Sequence, residues 1–494
     1  MKKILLIILC AVISVSIDAH LTMGPLFSNG MVLQQQQRVN IWGKASAGSA
    51  VSIKASWGAK VRAVADSHGN WKTTLQTPAA TFEPQTLTVS SGKDKVSLTD
   101  VLIGEVWFAS GQSNMEMPLK GFASCPTEGS NEAIAEAGQY KDKIHFVTVE
   151  SAPQAEPTDT ITVKWENCTP ATARSFCAAA YFFGIKLQRT LNCPVGLINS
   201  SLGATRVEGW TPREVLQTYP DINLAKETPE MAEKIARKKA QDNLYNIQRD
   251  LPLVFYNGMI HPFVGYGIKG FLWYQGEANV DYMNEEYAVR FANMVREWRT
   301  RWGMGDLPFY YVEICPFDYW WIKPSILACA LREQQFKAQS LLPNMGMVCT
   351  NDLVHDYEYW QIHPCMKREV GERLCLWALS QAYGIEGIAC QSPTYQSLEI
   401  KDNKVTLTFD HAGEGFNRNV RIEGFEVCGP DSVFHPATHV GTSGNRVSVQ
   451  SNEVKEPVAV RYCYKPFQIG NLKDIYGLPV IPFRTDDFPL TNNQ

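Results

Sequence analysis

Four short stretches of the chain hold the residue types that acyl transfer requires. Gly111-Gln112-Ser113-Asn114-Met115 follows the apolar run from Val101 to Ser110. A serine on a tight turn at the carboxyl end of a strand exposes its hydroxyl at the sheet's edge. The backbone N–H groups around such a turn point outward, towards a developing oxyanion. The run CPVGLI leads into Asn199-Ser200-Ser201-Leu202-Gly203-Ala204-Thr205, where Gly203 can bring a backbone N–H against a substrate carbonyl. GFLWYQGEAN ends a strand with Gln275-Gly276-Glu277, an amide able to donate to an oxyanion and a carboxylate able to brace the loop. Gln361-Ile362-His363-Pro364 precedes the helical run KREVGERLCLWAL, with proline well placed at the helix start. His363 therefore lies on a loop and offers the base that a serine hydroxyl needs before it attacks. Each stretch has a plain alternative: a capping serine, a glycine loop, a polar turn, a surface histidine. GQSNM is also not the G-x-S-x-G elbow, because Met115 stands two after the serine. The order Ser, Gly, Gln, His, each at a strand end or just beyond one, outweighs those alternatives taken singly.

The intervening patterns predict elements that would position these residues. From Val101 to about Ile388, short apolar runs alternate with longer helical stretches such as AAAYFFGIKLQRT and NEEYAVRFANMVREWRTRW. That alternation predicts a doubly wound α/β sheet over 101–388, with ligand sites beyond the carboxyl ends of its strands. Residues 229–249 are charged on most faces and read as a surface helical insertion. Over 20–100 the runs alternate apolar and polar residues between Gly, Asn and Asp turns, the pattern of a small antiparallel sandwich. Strand patterns return over 389–494, where a second β region could pack with the first.

The first nineteen residues read differently. Lys2 and Lys3 precede an uncharged run from Ile4 to Ile17, and Ala19 suits a signal-peptidase site. Residues 1–19 are thus expected to be a signal peptide for export to the periplasm or beyond. The run is too short for a membrane span of about 20 residues, and no later stretch is longer. The net charge of −4 is well mixed, which argues against a nucleic-acid partner. Twelve cysteines follow the leader, an even number compatible with disulfides but without framework spacing. No CxxC pair or Cys/His cluster has metal-ligand spacing, so no structural zinc site and no metal are expected.

Taken together, the motifs resemble the SGNH-hydrolase superfamily and, within it, the sialate O-acetylesterase family of carbohydrate esterases. The likeness rests on GEVWFASGQSNMEMPL (104–119), PVGLINSSLGATRVEGWTP (194–212), FYNGMIHPF (255–263), GFLWYQGEANV and IHPCMKREVGERL (362–374), with NGMVLQQ and GLPVIPFRTDDFP at the flanks. It implies a three-layer α/β/α catalytic domain with β-sandwich-like regions at both ends. It further implies Ser113 as nucleophile and His363 as general base, with an oxyanion hole formed by the Ser113 N–H, Gly203 and the Gln275 side chain. Gln112, Asn114, Glu277 and Asn279 match positions that shape the pocket, and no cofactor is implied. The chain departs from the pattern before the histidine, where Trp360 and Gln361 stand at positions at which relatives carry an aspartate. Asp352, Asp356 and Glu358 are the candidates for the acid that orients His363, with Asp352 favoured because it ends an apolar run. A Ser–His dyad is the alternative.

The activity that the resemblance implies is removal of O-acetyl groups from sialic acids through an acetyl-enzyme. Arg206 is placed to pair with a sugar carboxylate. The rival readings are an acetylesterase of xylan or another glycan, a glycan-binding protein without turnover, and, more remotely, a metallohydrolase using His355 and His363. The oligomeric state is left open. Of the tryptophans, Trp210, Trp273 and Trp360 lie nearest the proposed site in sequence.

Overall fold

The computed structural model describes residues 20–490. The expected signal peptide lies outside the described residues. Seven strands of an eleven-stranded sheet carry the site: β1 (Asp94–Gly111), β2 (Ile144–Thr148), β3 (Glu166–Asn167), β4 (Val195–Ser201), β5 (Gly270–Tyr274), β6 (Phe309–Val312) and β7 (Met345–Val348). Their order is β3-β2-β4-β1-β5-β6-β7, parallel except for β3. Strand β1 is central, and the chain crosses from β4 on one side of it to β5 on the other. A crevice at the carboxyl ends of such strands is where open α/β sheets bind ligands.

Successive strand residues face opposite cores. Phe271 and Trp273 of β5, with Phe309 and Tyr311 of β6, pack on one face with Phe291, Trp298 and Leu331. Leu272, Tyr274, Tyr310 and Val312 pack on the other face with Phe183, Leu374 and Trp377. The helices on the first face are α3 (Tyr287–Trp302) and α4 (Leu327–Ala338); those on the second are α2 (Ala178–Leu191) and α5 (Lys367–Trp377). This is why the strands read as continuous apolar runs, since both of their faces are buried. Gly371 lets α5 approach α2, because a Cβ there would meet the Ala179 carbonyl oxygen at 2.4 Å.

The boundary expected near residue 100 falls inside a strand. The first half of β1 pairs antiparallel with Thr81–Ser91 and parallel with Val32–Gln34, and its second half pairs with β4 and β5. Val39, Trp71 and Leu87 accordingly share one core with Phe108 and Trp298. The C-terminal β region holds two four-stranded sheets around its own core, which includes Val405, Leu407, Val447 and Val460 and no residue of the N-terminal region. The charged stretch near 229–249 begins within a helix, Leu224–Ala240, which buries only Leu224, Met231 and Ile235. The twelve cysteines among the described residues are all free thiols, eleven of them buried. No helix among the described residues is long and apolar enough to cross a membrane.

Candidate active site

Strand β1 delivers Ser113 to the crevice through a turn that tolerates little else. Gly111 has φ +141°, and a Cβ there would lie 2.2 Å from the Tyr274 carbonyl oxygen of β5. That oxygen accepts the Gln112 N–H at 2.9 Å, tying the turn to the neighbouring strand. Ser113 then opens a one-turn helix, α1 (Ser113–Glu116), and is half-buried. The Gln112 carbonyl accepts the Met115 and Glu116 N–H groups at 2.9 Å each, closing the turn.

Gly203, in the loop after β4, lies against the serine, since a Cβ on it would be 3.2 Å from Ser113 Cβ. Its N–H does not stand open. It donates to Glu116 Oε2 at 2.6 Å. Burial raises the Glu116 carboxyl above its usual range, against the Gly203 hydrogen bond and the nearby Arg249 charge. Glu116, Phe122, Ser151, Asn199, Ser201 and Tyr245 help line a cleft of about 610 Å³ beside the serine. Lys239, Asp242, Leu244 and Tyr245, all from the charged insertion, also line it, so the insertion walls the cleft.

Gln275 sits fully buried beyond β5, and its amide is spent inside the protein. Nε2 donates to the Thr205 carbonyl at 3.0 Å and to Asn279 Oδ1 at 2.8 Å, while Oε1 accepts from the Tyr287 hydroxyl at 2.9 Å. Both amide protons are committed, so the structure does not aim this side chain at an oxyanion. Asn279 continues the chain of bonds: its Oδ1 accepts the Val207 N–H at 3.0 Å and its Nδ2 donates to Glu208 at 3.0 Å. Glu208 pairs in turn with the buried Arg290, which also binds Asp221. Gln275 and Asn279 thus fix the loops after β4 and β5 to each other. Gln112 joins them, its Oε1 accepting the Gly276 and Ala278 N–H groups at 3.2 and 3.3 Å. Arg206 stacks over the Tyr282 ring at 4.0 Å and gives its Nε–H to the Ala278 carbonyl, and its terminal nitrogens have no hydrogen-bond partner among the described residues.

Asn114 links the serine's helix to the histidine's loop. Its Nδ2 donates to Glu277 Oε1 at 2.5 Å and to the Ile362 carbonyl at 3.0 Å, and its Oδ1 accepts from Lys367 Nζ at 2.6 Å. The residues flanking Ser113 and His363 are thereby hydrogen-bonded to each other. Lys367 is completely buried, and desolvation brings its ammonium down to about 8 despite the acids around it. Burial likewise raises Glu277. Lys367 was not among the residues expected at the site. Its signal was in the sequence: it shares the helical stripe of Val370, Gly371 and Leu374, where a lysine is out of place.

His363 packs edge-on against Phe122, with ring centroids 5.3 Å apart. Burial, helped by the Lys367 charge, pushes its imidazole down to about 4. Neither ring nitrogen has a hydrogen-bond partner among the described residues. Asp352 does not reach it. Its two oxygens take a bidentate pair from Arg373 at 2.7 Å each, and Lys473 binds one of them at 2.6 Å. Glu358 is also engaged elsewhere, accepting the His355 and Cys365 N–H groups at 2.9 Å each, and Asp356 is exposed. Gln361 folds back so that its Oε1 accepts the His363 N–H at 3.1 Å. The loop is shaped by amide and carboxylate caps, and no acid among the described residues reaches the imidazole.

The three tryptophans separate cleanly. Trp210 and Trp273 are core, packed edge to face. Trp360 is 55% exposed and stands with the half-exposed Trp320 and Trp321, the Trp320 and Trp360 centroids being 6.0 Å apart. An aromatic rim therefore borders the loop that carries His363.

The chain is similar to known proteins of one family. The family described as carbohydrate esterase, sialic acid-specific acetylesterase matches residues 103–380. The chain is 26% identical over 456 residues to the sialate O-acetylesterase of Homo sapiens, covering 86% of this chain and 82% of that protein. Against the sialate O-acetylesterase of Mus musculus it is 26% identical over 424 residues, 77% of each. A crystal structure of a carbohydrate acetylesterase from Xanthomonas citri superposes with a TM-score of 0.82 at 33% identity, covering 95% of this chain and all of that one.

Proposed function

Since the chain belongs to the sialic acid-specific acetylesterase family of carbohydrate esterases, a family of carboxylic ester hydrolases, we propose that it removes O-acetyl groups from sialic acids on glycans by a serine mechanism. The observation that carries this reading is Ser113 at the topological switch of the sheet, with the Gly203 N–H beside it. On this reading the catalytic domain has the SGNH-type three-layer arrangement, and export depends on residues 1–19.

In the proposed reaction His363 takes the Ser113 proton as Oγ attacks the acetyl carbonyl. The Ser113 and Gly203 N–H groups hold the tetrahedral oxyanion, which requires Glu116 to release the Gly203 N–H as substrate enters. The sugar alkoxide leaves with the proton from His363, and water then repeats the sequence to free acetate. His363 works in a dyad, poised by the Phe122 ring and the clamped loop. The buried Gln275–Asn279–Glu208 chain keeps the two oxyanion loops in register. The exposed Trp320, Trp321 and Trp360 give flat apolar faces on which pyranose rings stack, and Arg206 offers its free nitrogens to a sugar carboxylate.

One observation favours a second reading, an acetylesterase of xylan or another glycan. The more similar of the two kinds of relative, at 33% identity, is named only a carbohydrate acetylesterase. Acetate release from acetylated sialoglycan, acetylated xylan and an aryl acetate separates the cases. Preference for sialoglycan, lost in Ser113→Ala, is the expected result. Preference for xylan would move the substrate, and undiminished release by folded Ser113→Ala would overturn the mechanism.

A further inference from the structure

Beyond the ester site, we propose that Glu128, His355 and Cys365 form a binding site for a thiophilic divalent cation of the zinc class, at the base of the loop that carries His363. His355 Nε2 lies 3.1 Å from Glu128 Oε2, and Cys365 Sγ lies 3.6 Å from the same oxygen. All three donor atoms fall within 4.8 Å of one another. A tetrahedral zinc with bonds of about 2.0–2.3 Å to nitrogen, oxygen and sulfur sets its ligand atoms about 3.3–3.6 Å apart. The spacing therefore fits a single cation with only small movements of the side chains. The donor set of one imidazole, one thiolate and one carboxylate suits zinc far better than magnesium or calcium, which take oxygen ligands.

The ligands are held in place independently of any ion. Glu358 accepts the backbone N–H of His355 with one oxygen and that of Cys365 with the other, at 2.9 Å each, so one carboxylate fixes two ligand residues. The Glu128 N–H donates to the Cys365 carbonyl at 3.0 Å, which ties the third ligand's segment to the same loop. The His355 ring is stacked on Tyr357 at 4.9 Å, which sets its plane. Outer-shell support of this kind is what orients metal ligands. Glu128 and His355 are 227 residues apart in sequence, so no local spacing motif reveals the site. Glu128 and His355 have side chains 60% and 32% exposed, so the cluster opens to solvent and leaves a fourth position for water. Binding would replace the Cys365 S–H bond by a sulfur–metal bond and release that proton to solvent. Cys365 is two residues from His363, so an ion here would pin the segment that presents the base.

The test uses the full chain, freed of metal by chelator and titrated with Co2+ alone, then with Zn2+. One equivalent of Co2+ should produce a thiolate-to-cobalt charge-transfer band that Zn2+ abolishes. Cys365→Ser should remove the band, His355→Ala should weaken binding about 10-fold or more, and Cys125→Ser should leave it intact. Ser113→Ala should bind normally, which keeps this result separate from the esterase mechanism. Absence of a stoichiometric band in the native chain, or its persistence in Cys365→Ser, would overturn the proposal.

Discussion

On one side of the crevice, Ser113 stands on the central strand of the sheet, and the loops beside it are fastened by a buried chain from Gln275 through Asn279 and Glu208 to Arg290. On the other side, His363 hangs from a loop outside regular structure, shaped by Glu358, Gln361 and the Asn114 bond to Ile362. The serine side is held by side-chain hydrogen bonds between its loops, from Gln275 to Thr205 and Asn279 and from Gln112 to Gly276 and Ala278. The histidine side is held through its backbone, and its imidazole is placed by packing on Phe122. On the proposed mechanism, the contrast teaches that the two halves of one dyad can be positioned by different physics. Ser113 is fixed by sheet geometry and buried hydrogen bonds, His363 by capped turns and burial.

The sharpest way to break this comparison is through Asp352. Asp352→Asn removes the charge from a buried pair with Arg373 and Lys473 and should cost about 3 kcal/mol of stability, read by urea unfolding. The folded variant should keep its kcat. If Asp352 orients His363 instead, kcat should fall by about 10⁴ at unchanged fold.

The second test is pH. A general base works in its neutral form, so activity is lost as pH falls through its folded pKa. An ordinary histidine titrates near 6.5, whereas burial and Lys367 hold His363 at about 4. The acid limb of kcat/KM should therefore lie near pH 4. Lys367→Met removes a like charge and should move that limb to higher pH. A native limb near 6.5 would contradict the burial of the base.

The smallest effect concerns the rim. Trp360→Ala should raise KM for an acetylated glycan by about 3- to 10-fold, as the loss of one aromatic contact predicts. Hydrolysis of an aryl acetate should be unchanged, and equal losses on both would make Trp360 a support of the loop rather than a sugar platform.

The sheet and the four motifs were legible because their signals are local. An apolar run ending in Gly111-Gln112-Ser113 announces a strand and a turn in consecutive residues, and the Val370–Leu374 spacing announces a helix, which begins at Lys367 rather than at Pro364 as expected. What was not legible depends on partners far away in sequence. Gln275 looks like an oxyanion donor until Thr205, Asn279 and Tyr287 are seen to use its amide. Asp352 looks like a strand-end acid until Lys473 arrives from the C-terminal β region. Glu116 follows the serine by one helical turn, yet only the fold shows it on the Gly203 N–H. The boundary drawn at residue 100 failed to register that β1 is one strand of 18 residues serving two neighbourhoods.

The central claim is that Ser113 carries the acyl group between its two hosts. The most direct measurement is mass analysis of enzyme quenched with acid during turnover of an aryl acetate, followed by peptide mapping. One acetyl group on the peptide containing Ser113, absent from Ser113→Ala and diminished when substrate is exhausted, is the predicted result. Steady turnover with no acetylated peptide, or acetyl found on another residue in native enzyme, would contradict it.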